Sequence, residues 1–475
     1  MNRRDFLAGS VFAASALASR SAFATTVTND QQVVGVVVRG GRPRHTIPPD
    51  FMGLGYEIAS VARPGLMSGA NSVYVQLVRT LGVRGVIRVG GNTADYASYA
   101  AAAPAVSSPC GTVVNDAVLK ELGSFLETTE WKLIWALDLG RGSEADAIAE
   151  ARAVLAIAGD RLLAFEVGNE PDLFSHEKHR KPDYGYEDWL ADYRRYKRAL
   201  RAQFPGIPFA GPDVAGKTDW VTRFANDEGK DAVLLTHHYY REGQNPGSTI
   251  EKLLGVDPKL QPQLDQLEAA SQSCGLPYRI CEVNSFSGGG RPGVSDTMAG
   301  ALWALDCMFT LASNGCSGVN METGVNHRGF ISSYSPIGDD EQGHHSAKPE
   351  YYAMLAFSLA GRGELLTAEA DANSAEIKAY ATRPKEGTLV LTVINKGTEA
   401  SVLNVNVGNH GQPRQASVIR LTGPAVDAKA GISLGGAEVT PTGTWKQAKS
   451  ETLPVRNGQL SIHMPPASAA ILQLV

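Results

Sequence analysis

Cysteine is scarce in this chain: five residues, at positions 110, 274, 281, 307 and 316, in a total of 475. So few cannot staple a chain of this length into a disulfide scaffold, the odd number leaves at least one thiol unpaired, and none stands at the CxxC spacing of a zinc site. A single bridge stays open to an exported protein. Long apolar runs are also missing: no stretch reaches the about 18 consecutive apolar residues of a membrane-spanning helix, so no helical membrane insertion is expected. Positive charge is not in excess, and a net charge of −5 argues against nucleic acid as the main partner. There is no internal repeat and no low-complexity linker. The 43% hydrophobic and 20% charged content is that of a folded globular protein. A chain of this length outgrows one hydrophobic core, so two domains are expected.

The first residues read as a targeting signal. Asn2-Arg3-Arg4-Asp5-Phe6-Leu7 is a twin-arginine start, followed by the apolar run Leu7 to Leu17 and the small-residue site Ala22-Phe23-Ala24. Residues 1–24 are therefore expected to be removed, with the mature chain beginning near Thr25. That route carries already folded bacterial proteins, which predicts a periplasmic or secreted location.

The remainder is organised around Leu162 to Pro171, LLAFEVGNEP. Its apolar run suits a strand buried on both faces of a parallel sheet, and Pro171 stops it where Asn169 and Glu170 appear. A second stretch of the same build, Tyr278 to Ser285 (YRICEVNS), delivers Glu282. Around them short apolar strands alternate with helical patterns, the signature of parallel βα units. Strands one to three are read at Phe51–Glu57, Gly85–Asn92 and Lys132–Leu139, and strand four is the organising stretch. Strands five to eight follow at Pro208–Val214, Ala232–Tyr240, Tyr278–Ser285 and Gly318–Gly324. Eight such units predict an α/β fold, a (β/α)8 TIM barrel over residues 46–362. Beyond Gly363 strands are separated by turns without helices, which predicts a β-sandwich over residues 363–475. The early strand Val33–Arg39, within residues 25–45 and cut off from the barrel by Pro48-Pro49, is expected to join that sandwich.

Barrel enzymes keep their chemistry at the C-terminal ends of the strands. Strands four and seven lie across the mouth from each other, so Glu170 and Glu282 are opposed carboxylates. Glycoside hydrolysis uses such a pair, one acid protonating the leaving oxygen while the other attacks the anomeric carbon. A lone strand-end Glu would more simply be a solvated surface acid; two at matching depth favour chemistry. Cys281, directly before Glu282, is expected by strand alternation to point away from the pocket as a small buried hydrophobe. The histidine pairs at 237–238 and 344–345, and His176 with His179, lack a third ligand at a zinc-like spacing. The site is read without metal or cofactor.

Asn169-Glu170 closing strand four and Glu282 closing strand seven resemble the clan A retaining glycosidases. THHYY (Thr236 to Tyr240) and EVNSFSGGG (Glu282 to Gly290) are similar to glycoside hydrolase family 79, the heparanase-like β-glucuronidases. The resemblance implies a retaining β-glucuronidase acting on a glycan or glycoside that carries glucuronic acid, with Glu170 as acid/base and Glu282 as nucleophile. It further implies that Tyr239 donates its hydroxyl to Glu282 and that Asn169 holds the sugar 2-hydroxyl. Glu57, Asn92 and Asp95 would hold other hydroxyls, although Asp95 could equally cap a short helix and Asn92 stand in a turn. Gly288 and Gly289 would offer backbone N–H groups to the sugar carboxylate. The family carries a Tyr just before these glycines where this chain has Ser287, so recognition would lean on Tyr334 or another residue of the long loop after strand eight. Three alternatives remain: an endo-acting heparanase-like enzyme, a glycosidase for a neutral sugar, and a carbohydrate-binding protein on an inactive barrel. The basic loop His176 to Lys181 either attracts an anionic leaving group or is a solvated face.

Overall fold

The computed structural model describes residues 32–475, except 328, 386, 409, 411 and 412. The signal expected at residues 1–24, and the mature start near Thr25, lie outside the described residues.

Eight parallel strands form the barrel, in the order four-three-two-one-eight-seven-six-five. They are Gly53–Glu57, Val86–Gly90, Lys132–Leu137, Leu162–Val167, Ala210–Val214, Leu234–Gly243, Tyr278–Ser287 and Val319–Glu322. A bridge between Phe165 and Phe209, with Phe165 N–H donating to the Pro208 carbonyl at 2.9 Å, brings strand five back against strand four. Strands six and seven run further out than their apolar runs suggest, as a pair in register up to Gly243 and Ser287. Strand seven is irregular against both of its neighbours. One irregularity falls between His237 and His238, where strand seven carries an extra residue, and one lies between Ile280 and Val283 against strand eight. A bulge re-aims the side chains that follow it.

The helices follow from their sequence signals. Asn71 caps Ser72–Leu81 by accepting from Tyr74 N–H at 3.3 Å, and Asn115 caps Asp116–Thr129 through Val118 N–H at 3.0 Å. Ser143 and Asp146 form a reciprocal capping box at the head of Glu144–Ala158. Met298–Ser313 differs in being apolar round nearly its whole circumference, the mark of a helix buried on several sides.

That helix is enclosed because the barrel and the C-terminal sheets share a core. Phe309 stacks on Tyr380 and packs against Phe357, while Asp306 accepts from Tyr380 Oη (2.5 Å) and Lys396 Nζ (2.7 Å). Ile394, Ile419, Leu421 and Ile471 of the C-terminal sheet belong to the same apolar cluster as the barrel helices. The other face of that sheet, through Leu391, Val393, Val418 and Leu472, packs on a four-stranded sheet to make a second core. Gln32–Val38 lies in the four-stranded sheet, parallel to Ser401–Asn406 and antiparallel to Ala368–Ala370. His45–Ile47 joins the larger sheet by pairing with Gly363–Leu366. No helix among the described residues is long and apolar enough to cross a membrane. All five cysteines are free thiols.

Candidate active site

Strand two carries Arg88 into the barrel, fully buried. A guanidinium taken out of water needs partners for its whole fork. Nε donates to Glu166 (3.1 Å), Nη1 to Glu282 (2.9 Å), and Nη2 to both Asn169 Oδ1 (2.7 Å) and Asp213 (2.6 Å). One side chain thereby gathers groups delivered by strands four, five and seven.

His238 on strand six completes the network. Its Nε2 lies 2.8 Å from Asp213 and its Nδ1 2.9 Å from Glu170. Burial opposes a charge on this ring, but Asp213 and Glu282 overcome it and hold the imidazolium pKa well above the ordinary value. Charged, it donates both N–H groups. Burial would likewise raise Asp213, yet Arg88 and His238 hold its carboxyl well below the usual range. Glu170 goes the other way: burial, with Glu282 adding to it, outweighs the His238 bond and lifts its pKa to about 7. A carboxyl poised there can give up a proton near neutral pH.

Glu170 is presented in a left-handed conformation (φ 49°, ψ 50°), fixed by its N–H donating to the Asp213 carbonyl at 2.9 Å and by Pro171 behind it. Asp213 is left-handed as well, at φ 59°. Two non-glycine residues in this region are a local cost that the rigid network sustains at the site. Glu282 receives Tyr240 Oη on its second oxygen at 2.7 Å. One oxygen from each of Glu170 and Glu282 and a nitrogen of His238 lie within 4.8 Å of one another. Carboxyl groups this close suit double displacement; an inverting pair stands about 6.5–9.5 Å apart.

Charge balance at the mouth is narrow. Arg88 and His238 supply two positive charges, which Asp213 and Glu282 balance by direct contact. Four more carboxyls remain nearby, and each is raised chiefly by burial: Glu57 to about 7, Glu166 to about 8, Glu170 to about 7, and Glu322 well above its ordinary value. Burial keeps each of them uncharged to a higher pH than an exposed Glu.

The residues expected from the sequence divide cleanly. Glu57, Asn169, Glu170 and Glu282 meet at the mouth. Glu57 accepts from the N–H of Asn92 (3.2 Å) and from Thr93 N–H and Oγ1 (2.7 and 2.6 Å). Asn92 is exposed at the rim and accepts from Asn169 Nδ2 at 3.2 Å. Asp95 is placed otherwise than expected. It is buried, and its two oxygens accept the N–H groups of Leu139, Gly140 and Asn169 (3.1, 2.8 and 2.9 Å), so it braces the ends of strands three and four.

Tyr239 is a correction. Its hydroxyl donates to Asp257 at 3.0 Å on the outside of the barrel, and Tyr240 takes the place expected for it on Glu282. With Thr236 and His238 facing inward, alternation along strand six puts Tyr240 on the same side. Cys281 is a second correction: it is buried as expected, but within the barrel, its sulfur within 4.8 Å of Glu166 and Asp213. The irregularity between Ile280 and Val283 lets Cys281 and Glu282 both face inward.

Ser287 ends strand seven, its carbonyl accepting from Gln244 N–H at 3.1 Å. Gly288, Gly289 and Gly290 follow, all with φ between 79° and 89°. A Cβ on Gly289 would meet Phe330 at 2.7 Å, and the Gly289 carbonyl accepts Ser333 N–H at 2.7 Å, so the turn is clamped against the loop after strand eight. Tyr334 from that loop is buried with its ring 6.2 Å from that of Tyr240. In the loop after strand four, Arg180 donates to the carbonyls of Leu139 (2.7 Å) and Gly140 (3.0 Å), and Lys181 pairs with Asp188 (3.3 Å). His176 and Lys178 remain exposed there.

Sequence reasoning passed over Arg88, Asp213, Tyr240, Glu166 and Glu322. The signal was present: a charged residue inside an apolar strand, as in GVIRVGG, LAFEV or GVNME, has to be paired or functional.

Comparison with known proteins agrees with this geometry. Residues 379–471 match the glycosyl hydrolase family 79 C-terminal beta domain. A β-glucuronidase of Aspergillus niger is 28% identical over 384 residues, covering 73% of this chain and 69% of the relative. One from Neurospora crassa is 27% identical over 354 residues, covering 65% of this chain and 60% of that one. Among solved structures, a 4-O-α-L-rhamnosyl-β-D-glucuronidase from Fusarium oxysporum 12S superposes with a TM-score of 0.76 at 17% identity, over 93% of this chain and 100% of that one. With opposed glutamates at the mouth of a parallel barrel and a C-terminal region that matches the family 79 beta domain, the chain is a glycoside hydrolase similar to the family 79 β-glucuronidases.

Proposed function

We propose that the protein is a retaining β-glucuronidase that removes terminal β-linked glucuronic acid. The observation that carries this reading is the close pair Glu170 and Glu282 with the Gly288–Gly290 turn directly beyond the nucleophile's strand. The β-glucuronidase relatives support the substrate. In the first step Glu282, held by Arg88 and Tyr240, attacks the anomeric carbon while Glu170 protonates the departing oxygen. His238 holds one oxygen of Glu170 and leaves the other to face the leaving group. Once Glu282 is esterified its charge is gone, the pKa of Glu170 falls, and the same residue accepts a proton from water. Asn169, oriented by Arg88 and Asp95, addresses the 2-hydroxyl, and Glu57 a hydroxyl further round the ring. Gly288, Gly289 and Tyr334 supply donors for the sugar carboxylate. We further propose action outside the cytoplasm, a reading supported by the twin-arginine start at Arg3 and Arg4.

Aryl β-glycosides differing only at C6 test the substrate. Donors set for a carboxylate are left unpaired by a hydroxymethyl group, so kcat/KM for the glucuronide should exceed that for the glucoside by about 10⁴ or more. Comparable values would remove the glucuronide reading and leave the retaining mechanism standing. The anomer first formed, followed by NMR, should be β. Product size separates action at a chain end, which gives monosaccharide from the outset, from internal cleavage.

A further inference from the structure

Strand eight ends in a further carboxyl at the mouth, Glu322, for which the mechanism above has no role. It is 2% exposed, and neither of its oxygens has a hydrogen-bond partner. Its neighbour across the sheet, Gly55, has no side chain, and a Cβ there would lie 2.4 Å from Glu322 Oε2. The carboxyl therefore occupies a space that the glycine of strand one leaves, pointing into the barrel beside Glu57 and Glu282. The ionisable groups that face it are Glu57 and Tyr56 from strand one, Arg88 from strand two, Tyr240 and His238 from strand six, Glu282 from strand seven and Tyr334 from the loop beyond. Both cations among them are already bonded elsewhere, Arg88 to Glu166, Asp213, Asn169 and Glu282, His238 to Asp213 and Glu170.

A buried carboxyl with no partner and two acidic neighbours is stable only when uncharged, and an uncharged carboxyl carries one O–H that has to go somewhere. We propose that Glu322 is a sugar-binding residue that works as the neutral acid, donating its O–H to an oxygen of the sugar ring seated over Glu57 and Glu282. An orphaned donor beside Glu57 and Glu282 is what a ligand hydroxyl would satisfy. The same position, ionised, would add a further negative charge against the nucleophile. The inference rests on the barrel mouth being the sugar site and is indifferent to the group at C6.

Three variants, Glu322→Gln, Glu322→Leu and Glu322→Met, measured with the aryl glycoside that the wild type turns over fastest, decide it. Gln replaces one uncharged donor by another of the same shape. Its kcat/KM should stay within about threefold of wild type, and both limbs of its pH profile should superimpose on those of wild type. Leu and Met remove the donor at similar volume. They should raise KM by about tenfold, with kcat less affected and a melting temperature no lower than wild type, since an unpaired polar group has gone. A downward shift of the alkaline limb by about half a pH unit in Glu322→Gln would mean that a charge had been removed, which overturns the proposal. Wild-type KM in both apolar variants overturns it as well. If neither apolar variant folds, the pH limbs of Glu322→Gln still decide the charge, and its KM against wild type decides the contact. The wild type's own choice between glucuronide and glucoside tests the substrate reading separately, because each variant is compared with wild type on one and the same sugar.

Discussion

Replacing Arg88 with Met would leave Glu166, Asp213 and Glu282 facing one another without the guanidinium that joins them. Breaking a buried pair from one side costs about 3–5 kcal/mol. The expected outcome is a large fall in the denaturation midpoint together with loss of turnover, and Arg88→Lys should not rescue it, because an ammonium cannot span four acceptors. Tyr240→Phe should cost about tenfold or more in kcat by freeing one oxygen of Glu282, at little change in stability. Tyr239→Phe should do the reverse, lowering stability by about 1 kcal/mol through the lost Asp257 bond and leaving kcat alone. Opposite results would return the Glu282 contact to Tyr239. With Glu170 lifted to about 7, kcat/KM should fall as pH rises past neutrality, and Glu170→Gln should abolish that limb along with most activity on unactivated glycosides. At this scale the sequence was legible where an acid closes an apolar run, as Glu57, Glu170 and Glu282 do. It misled at Cys281, whose face depends on a bulge that no residue type announces; at Tyr239 the resemblance named the outward-facing neighbour of Tyr240, which plain alternation along the strand would have corrected. Arg88 and Asp213 went unread because burial, the fact that makes a charge significant, is a property of the fold.

The strands themselves were readable from their apolar runs and their polar stops, and every barrel strand lies where its run does, shifted by a few residues at the ends. The two-strand extension at Gly243 and Ser287 was not, since it is held by pairing between elements rather than by either sequence alone. Its consequence is the Gly288–Gly290 turn. Gly289→Ala places a side chain on Phe330 in a backbone conformation that L residues resist. The turn and the loop carrying Ser333 and Tyr334 should shift together, lowering kcat/KM for the glucuronide by about tenfold or more while the xyloside, which has no C6 group, is less affected. Equal losses on both would mean that the turn is scaffolding and does not read the sugar.

Across the whole molecule the raised acids set the response to pH. In the unfolded chain Glu57, Glu166, Glu170 and Glu322 ionise near the ordinary Glu value; folded, they hold their protons to about 7, 8, 7 and beyond. The native state thus binds more protons between these limits, and stability falls as pH rises, by about 1.4 kcal/mol for each unit of raised pKa and unit of pH crossed. His238, also raised, contributes stability that is present below its unfolded pKa and lost on the alkaline side. Asp213 is depressed, so its contribution is lost only in strong acid. The melting temperature should therefore peak in mildly acidic buffer and decline from about pH 5 to about pH 8. A curve rising over that range would contradict the neutral state of these carboxyls.

The sheet that holds Gln32–Val38 has a consequence in time. This segment is made first, but its parallel neighbour Ser401–Asn406 leaves the ribosome only after the entire barrel, and Gln459–Met464, which closes the far side, comes almost last. Until then the run VVGVVV is an unsatisfied strand on a growing polypeptide, open to wrong pairing. Nascent chains arrested before Ser401 should leave Gln32–Val38 open to protease, and resistance of that segment should appear only once Gln459–Met464 has emerged.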